Sequence, residues 1–166
     1  MFKEKSKQLL NLAHPLTKML RLRQLLIAIL VSAASMSSMA AEYISVQSNV
    51  AILYDAPSTQ ASKRFVVTQG YPFEVLVKLG QWTKVKDING AISWIEADKG
   101  AAKRTLIVTQ SGAEIREKPE AASKVIFRAD KDLLLDFVES APNGWVKVHH
   151  RDGETGYISS KQVWGT

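Results

Sequence analysis

The 166-residue chain contains no cysteine. That excludes disulfide staples in any oxidising compartment, thiol nucleophiles, and attachment of a lipid to a cysteine behind an export leader. Histidine is scarce as well. Beyond residue 41 there are only His149 and His150, adjacent in a strand-like segment and so directed to opposite faces, which prevents them from holding one metal ion together. A serine nucleophile would need one of them as base with an orienting acid, and no motif places such a set. No glycine-rich phosphate loop is present. The densest acidic group, Asp130-Lys131-Asp132, reads as a charged turn. That leaves carboxylates from different strands as the one route to an acid–base pair. Together these gaps point to a protein that is not an enzyme and carries no cofactor or metal.

Long apolar runs are missing too. The longest, Leu25 to Ala34, has ten residues, about half of the roughly twenty that cross a bilayer as a helix. It follows a basic stretch and precedes Ser38-Met39-Ala40-Ala41, with small side chains placed for cleavage after Ala40. Residues 1–40 are therefore expected to be a removed signal peptide, with a retained membrane anchor as the competing reading and Met19 as a candidate true start. The charge agrees. Of the 22 bases and 16 acids that give a net +6, six bases and one acid fall in residues 1–41, so the remainder holds 16 bases against 15 acids. A nearly neutral body offers no basic field for nucleic acid. With 46% hydrophobic residues, the chain also has the means to fold.

The remainder is a repeat. Pro57 set over Pro119 aligns VAILYDAP with GAEIREKP at an offset of 62. After one inserted residue the offset becomes 63, and Gln-Trp-Thr-Lys-Val (81–85) lies over Gly-Trp-Val-Lys-Val (144–148). Further on, Asn-Gly-Ala-Ile-Ser-Trp-Ile (89–95) lies over Asp-Gly-Glu-Thr-Gly-Tyr-Ile (152–158). The copies are expected over residues 43–98 and 105–166, joined by a small, charged linker over 99–104. Within each copy, short strand patterns alternate with turn residues. Phe73, Val75, Val77 and Leu79 form one apolar row of period two, and Leu133, Leu135 and Phe137 occupy the same places in the second copy. Asn89-Gly90 and Asp152-Gly153 are tight-hairpin signals, since glycine accepts the positive φ of such turns. No helical stripe interrupts the pattern. The expected fold is all-β, two tandem small barrels.

The motifs I-R-E-x-P, G-W-V-K-V and D-G-x-T-G-Y-I of the second copy resemble the bacterial SH3-like (Src homology 3) domain, a family found in exported cell-envelope proteins, and the resemblance covers both copies. The first copy departs from it, with Tyr54 where the second has Arg116 and Ser93 where it has Gly156. Gly70 fits the family's inter-strand turn, and Asp132 holds that place in the second copy.

Strand parity singles out candidate binding residues. With Val85, Val148, Ile95, Ile158, Leu53 and Ile115 turned inward, the outward residues are Tyr54, Trp82 and Trp94 in one copy and Arg116, Trp145 and Tyr157 in the other. Rigid amphipathic rings suit peptide or sugar recognition. The competing reading is that these rings cap a small core or form the contact between the copies. A strand bulge would invert the parity. The resemblance implies an exported, periplasmic or secreted module that binds cell-wall peptide or glycan. The alternative is a protein-interaction module serving an envelope enzyme or signalling system.

Overall fold

The alternating segments of residues 43–101 pair as seven short strands: β1 (Tyr43–Val46), β2 (Val50–Tyr54), β3 (Lys63–Thr68), β4 (Pro72–Leu79), β5 (Trp82–Lys86), β6 (Ile92–Glu96) and β7 (Gly100–Ala101). The second copy repeats them as β8 (Thr105–Val108), β9 (Ala113–Arg116), β10 (Val125–Ala129), β11 (Leu134–Ala141), β12 (Trp145–His149), β13 (Thr155–Ser159) and β14 (Val163–Trp164). This computed structural model describes residues 41–166, so the export leader expected over 1–40 lies outside the described residues. The strand orders, β3-β2-β6-β5-β4-β1-β7 and β10-β9-β13-β12-β11-β8-β14, are identical position by position. Each sheet surrounds its own apolar cluster. Leu53, Phe73, Val85 and Ile95 fill the first, and Ile115, Leu135, Val148 and Ile158 stand in the matching places of the second.

The residue inserted in the second copy sits in one turn. Gly80 and Gln81 join β4 to β5, whereas Pro142, Asn143 and Gly144 join β11 to β12. Both expected hairpins form, with positive φ at Gly90 and Gly153. The linker is shorter than expected. Gly100 and Ala101 pair with Val46 and Ser45 as the closing strand of the first barrel, because β1 would otherwise present an unpaired edge.

The apolar row of β4 is also corrected. Phe73 is buried, but Val77 and Leu79 are about half exposed. The register slips between Val75, opposite Val85, and Val77, opposite Lys84. A bulge at Leu76 turns the rest of the strand over. The same slip recurs between Phe137 and Glu139. Leu135 and Phe137 thus take the places of Phe73 and Val75, while Leu133, read from sequence as part of that row, precedes β11 in the place of Tyr71.

The barrels pack against each other through other residues. Ser45 Oγ and Thr105 Oγ1 lie 2.7 Å apart, the Thr105 amide donates to Ser45 Oγ at 3.0 Å, and the Thr105 hydroxyl donates to the Gly70 carbonyl. The Tyr43 and Trp164 rings meet edge-to-face at 5.4 Å. Arg104 lies over the rings of both Phe137, at 4.3 Å, and Tyr43, at 5.5 Å, and donates to the Gly165 carbonyl. Burial in this contact, with Glu74 nearby, raises the Tyr43 pKa above its ordinary value.

Candidate functional site

The strand pairing brings each expected trio onto one outer face. In the first barrel Tyr54 lies opposite Trp94, Lys84 opposite Trp94 from the other side, and Trp82 two residues along β5 on the same face. The Tyr54 and Trp82 rings meet edge-to-face at 5.4 Å and 89°, a geometry the ring quadrupoles favour. Lys84 Nζ stands 5.7 Å from the Trp94 ring centroid. Trp82 and Trp94 are half-buried and reachable. Tyr54, expected to face solvent, is only 5% exposed, because the Trp82 ring covers it. It supports the face instead of offering a contact of its own. Beside Trp82 opens a shallow recess of about 300 Å³, bounded by the loop from Pro57 to Thr59, Gln81 and Glu96.

Around these rings the first barrel is aliphatic. Ile52 and Val66 are paired across β2 and β3 on the same face as Tyr54. Val77 and Leu79, turned outward by the bulge, flank Lys84 and Trp82. Val66 is 68% exposed and Leu79 54%.

In the second barrel Arg116 lies opposite Tyr157 and Lys147 opposite Tyr157 from β12, with Trp145 two residues along on the same face. Lys147 Nζ is 6.0 Å from the Tyr157 centroid and 3.3 Å from a Glu139 carboxylate oxygen. Arg116 does not present a free guanidinium. It donates to the Ser123 carbonyl and pairs with Glu114, whose other oxygen accepts from Arg128 at 2.9 Å. The Arg128 hydrogen bond and the Arg116 charge hold the Glu114 carboxyl below its ordinary range, against the opposing effect of desolvation. Arg116 therefore braces β9 and the loop after it.

Sequence reasoning aligned Lys84 with Lys147 in the repeat without setting them over the rings. It did not anticipate the aliphatic surround of the first face or the ion-paired surround of the second. The β4 bulge hides the former, while the Glu114, Arg116, Arg128 spacing, i, i+2 on one strand with a partner on the next, carried a readable signal for the latter. None of the six candidate residues is among those that make the barrel–barrel hydrogen bonds and ring contact described above. Elsewhere, His149 Nδ1 lies 3.0 Å from Thr155 Oγ1 and His150 Nδ1 3.3 Å from Asp152. Among the described residues no three His, Cys, Asp or Glu side chains are grouped to hold a metal.

Fold and faces together define a tandem pair of SH3-like β-barrels. The model of the Bacterial SH3 domain family matches residues 47–99 and again 109–165, and the chain belongs to that family. No curated protein matches the sequence. Among solved structures, NlpC1 from Trichomonas vaginalis is similar at 15% identity, over 80% of this chain and 49% of that one, with a TM-score of 0.36. An NlpC/P60 family protein from Bacillus cereus is similar at 13% identity, over 74% of this chain and 55% of that one, with a TM-score of 0.34. The chain spans about half the length of the solved structures it matches.

Proposed function

We propose that the chain is a non-catalytic, exported binding module that holds cell-wall peptide or glycan against the aromatic outer faces of its barrels. The observation that carries this reading is the pairing of reachable rings with a lysine above them, Trp94 with Lys84 and Tyr157 with Lys147, on faces the barrel–barrel contact leaves free. Such rings give contact area at low entropy cost, and the ammonium group meets acidic or hydroxyl-bearing ligands. Membership of the bacterial SH3 family supports a binding role without naming the ligand.

The test is cosedimentation of the protein with isolated peptidoglycan. Trp82→Ala, Trp94→Ala and Tyr157→Ala are each expected to weaken it by on the order of tenfold, with the fold checked by circular dichroism. A folded native protein that stays in the supernatant overturns the reading. Intact mass of the exported protein is expected to show a chain starting near Ala41; a retained leader contradicts the export assignment. A second reading, a docking module for an envelope protein, is favoured by the exposed Val66, Val77, Leu79 and Ile92 of the first barrel. It requires a reproducible crosslinked partner that Trp94→Ala releases.

A further inference from the structure

A cleft of about 590 Å³ opens where the two barrels meet, and none of the six face residues lines it. Its volume lies within the range of roughly 300–1,000 Å³ usual for small-molecule sites, which favour such junctions. The first barrel contributes Gln47 and Gln69, the connection Lys103, and the second barrel Asp132, Asp136 and Arg151. Their charges are unequally engaged. Lys103 Nζ pairs with Asp136 at 2.8 Å, whereas Arg151 and Asp132 have no ion-pair partner among the described residues. The two carboxamides are held in place. Gln47 Nε2 donates to the Asp98 carbonyl at 2.6 Å and Gln69 Nε2 to the Gln47 carbonyl at 3.0 Å, which leaves both side-chain oxygens as acceptors. Leu133 and Leu134, both half-buried, give the cleft an apolar wall.

Asp132 adds an independent observation. It has φ +69°, and its amide donates to the Val108 carbonyl at 2.8 Å. In the first barrel the equivalent residue is Gly70, with φ +84° and the same amide bond to Val46. Glycine takes this backbone without strain, while a side chain there costs conformational energy. The second barrel thus carries a carboxylate at a position where the fold itself asks for glycine, and that carboxylate lines the cleft.

We infer that the inter-barrel cleft is a binding site for a small zwitterion of the amino-acid or short-peptide class. Its carboxylate meets Arg151, its ammonium group meets Asp132, and its side chain lies on Leu133 and Leu134. The site does not depend on the aromatic faces.

The experiment is titration of the full chain with the dipeptide leucyl-leucine, followed by amide chemical shifts. The resonances of Gln47, Gln69, Leu133 and Arg151 are expected to move together and saturate. N-acetylation or C-amidation of the dipeptide weakens binding by on the order of tenfold, the value of one charge-assisted hydrogen bond. Arg151→Gln and Asp132→Asn do the same. Asp132→Gly removes the carboxylate and relieves the backbone, so it is expected to lose binding while melting no lower than the native protein. Tighter binding of the dipeptide than of free leucine assigns the peptide class; equal binding assigns the amino acid. No shifts in the cleft at millimolar dipeptide, or equal affinity of the blocked forms, overturns the site.

Discussion

The two barrels share strand order, bulge, hairpins and core positions, yet their outer faces are built from opposite chemistry. Where the first has Ile52, Val66, Tyr54 and Val77, the second has Glu114, Arg128, Arg116 and Glu139 at the corresponding positions. The second face is an ion-paired surface joined through Glu114 and Lys147, while the first is an apolar surface around two reachable tryptophans. A repeat constrains what lies inside, since both copies must fill the same small volume. Outward positions are free to diverge, and the divergence concentrates apolar contact area on one barrel.

The largest expected effect comes from exchanging Ser93 and Gly156, matched positions in the repeat that are buried in both copies. A Cβ on Gly156 would lie 2.5 Å from Ile115 Cγ2 and 2.8 Å from the Arg116 carbonyl. Leu53, unbranched at Cβ, and Arg64 replace Ile115 and Ile126 around the matching Ser93. Gly156→Ser should cost about 1–3 kcal/mol in urea denaturation, and Ser93→Gly about 0.5–1 kcal/mol. Equal losses would remove the packing explanation for this difference.

Next comes the contact that couples the barrels. Thr105→Val deletes the hydroxyl shared by Ser45 and Gly70 and should cost about 1–2 kcal/mol. It should also separate one unfolding transition into two, so that each barrel's own stability can be read by calorimetry. A single unshifted transition would place the coupling elsewhere.

A smaller change follows from moving the charges across. Ile52→Glu with Val66→Arg gives the first barrel the pair of the second, and an exposed pair should alter stability by less than about 1 kcal/mol. Capture of a protein partner by the first barrel should nevertheless fall if the aliphatic surround takes part; unchanged crosslinking would assign the contact to the rings alone.

The smallest effect is a pH dependence confined to the second barrel. The Glu114 pKa is lowered from its ordinary value of 4.5, so its contribution is complete above that value and disappears as the pH falls through the folded one. Glu114→Gln should flatten the acid limb of the stability curve, removing the small contribution at neutral pH and leaving stability below the folded pKa nearly unchanged. An unaltered acid limb would show that Arg116 and Arg128 are held without it.

Much of the fold is legible in residue spacing. Trp82 over Trp145, Lys84 over Lys147 and Ile95 over Ile158 locate β5, β6 and their counterparts, and parity places Val85 and Ile158 in the cores, where both are buried. The trios were legible for the same reason, since neighbouring strands in register put alternate side chains on one face. The bulges at Leu76 and Val138 were not, because the local pattern of β4 alternates whether or not a residue is skipped. The burial of Tyr54 is not legible either, because parity gives the direction of a side chain but not what lies on top of it. Tyr43 and Trp164 give no signal in the repeat; Trp164 stands opposite Ala101, and an aromatic without a counterpart carries no periodic signal.

The sequence by itself determined the tandem repeat, the all-β class, the presence of one inserted residue and most of the two cores, because each follows from local periodicity and turn chemistry. Only the tertiary structure decided which outward rings stay reachable, that Gly100 and Ala101 close the first barrel, and that a charged cleft forms between the copies. Those features depend on residues far apart in the chain, such as Tyr54 with Trp82, Ser45 with Ala101 and Ser45 with Thr105, and no spacing along one strand encodes which of them meet.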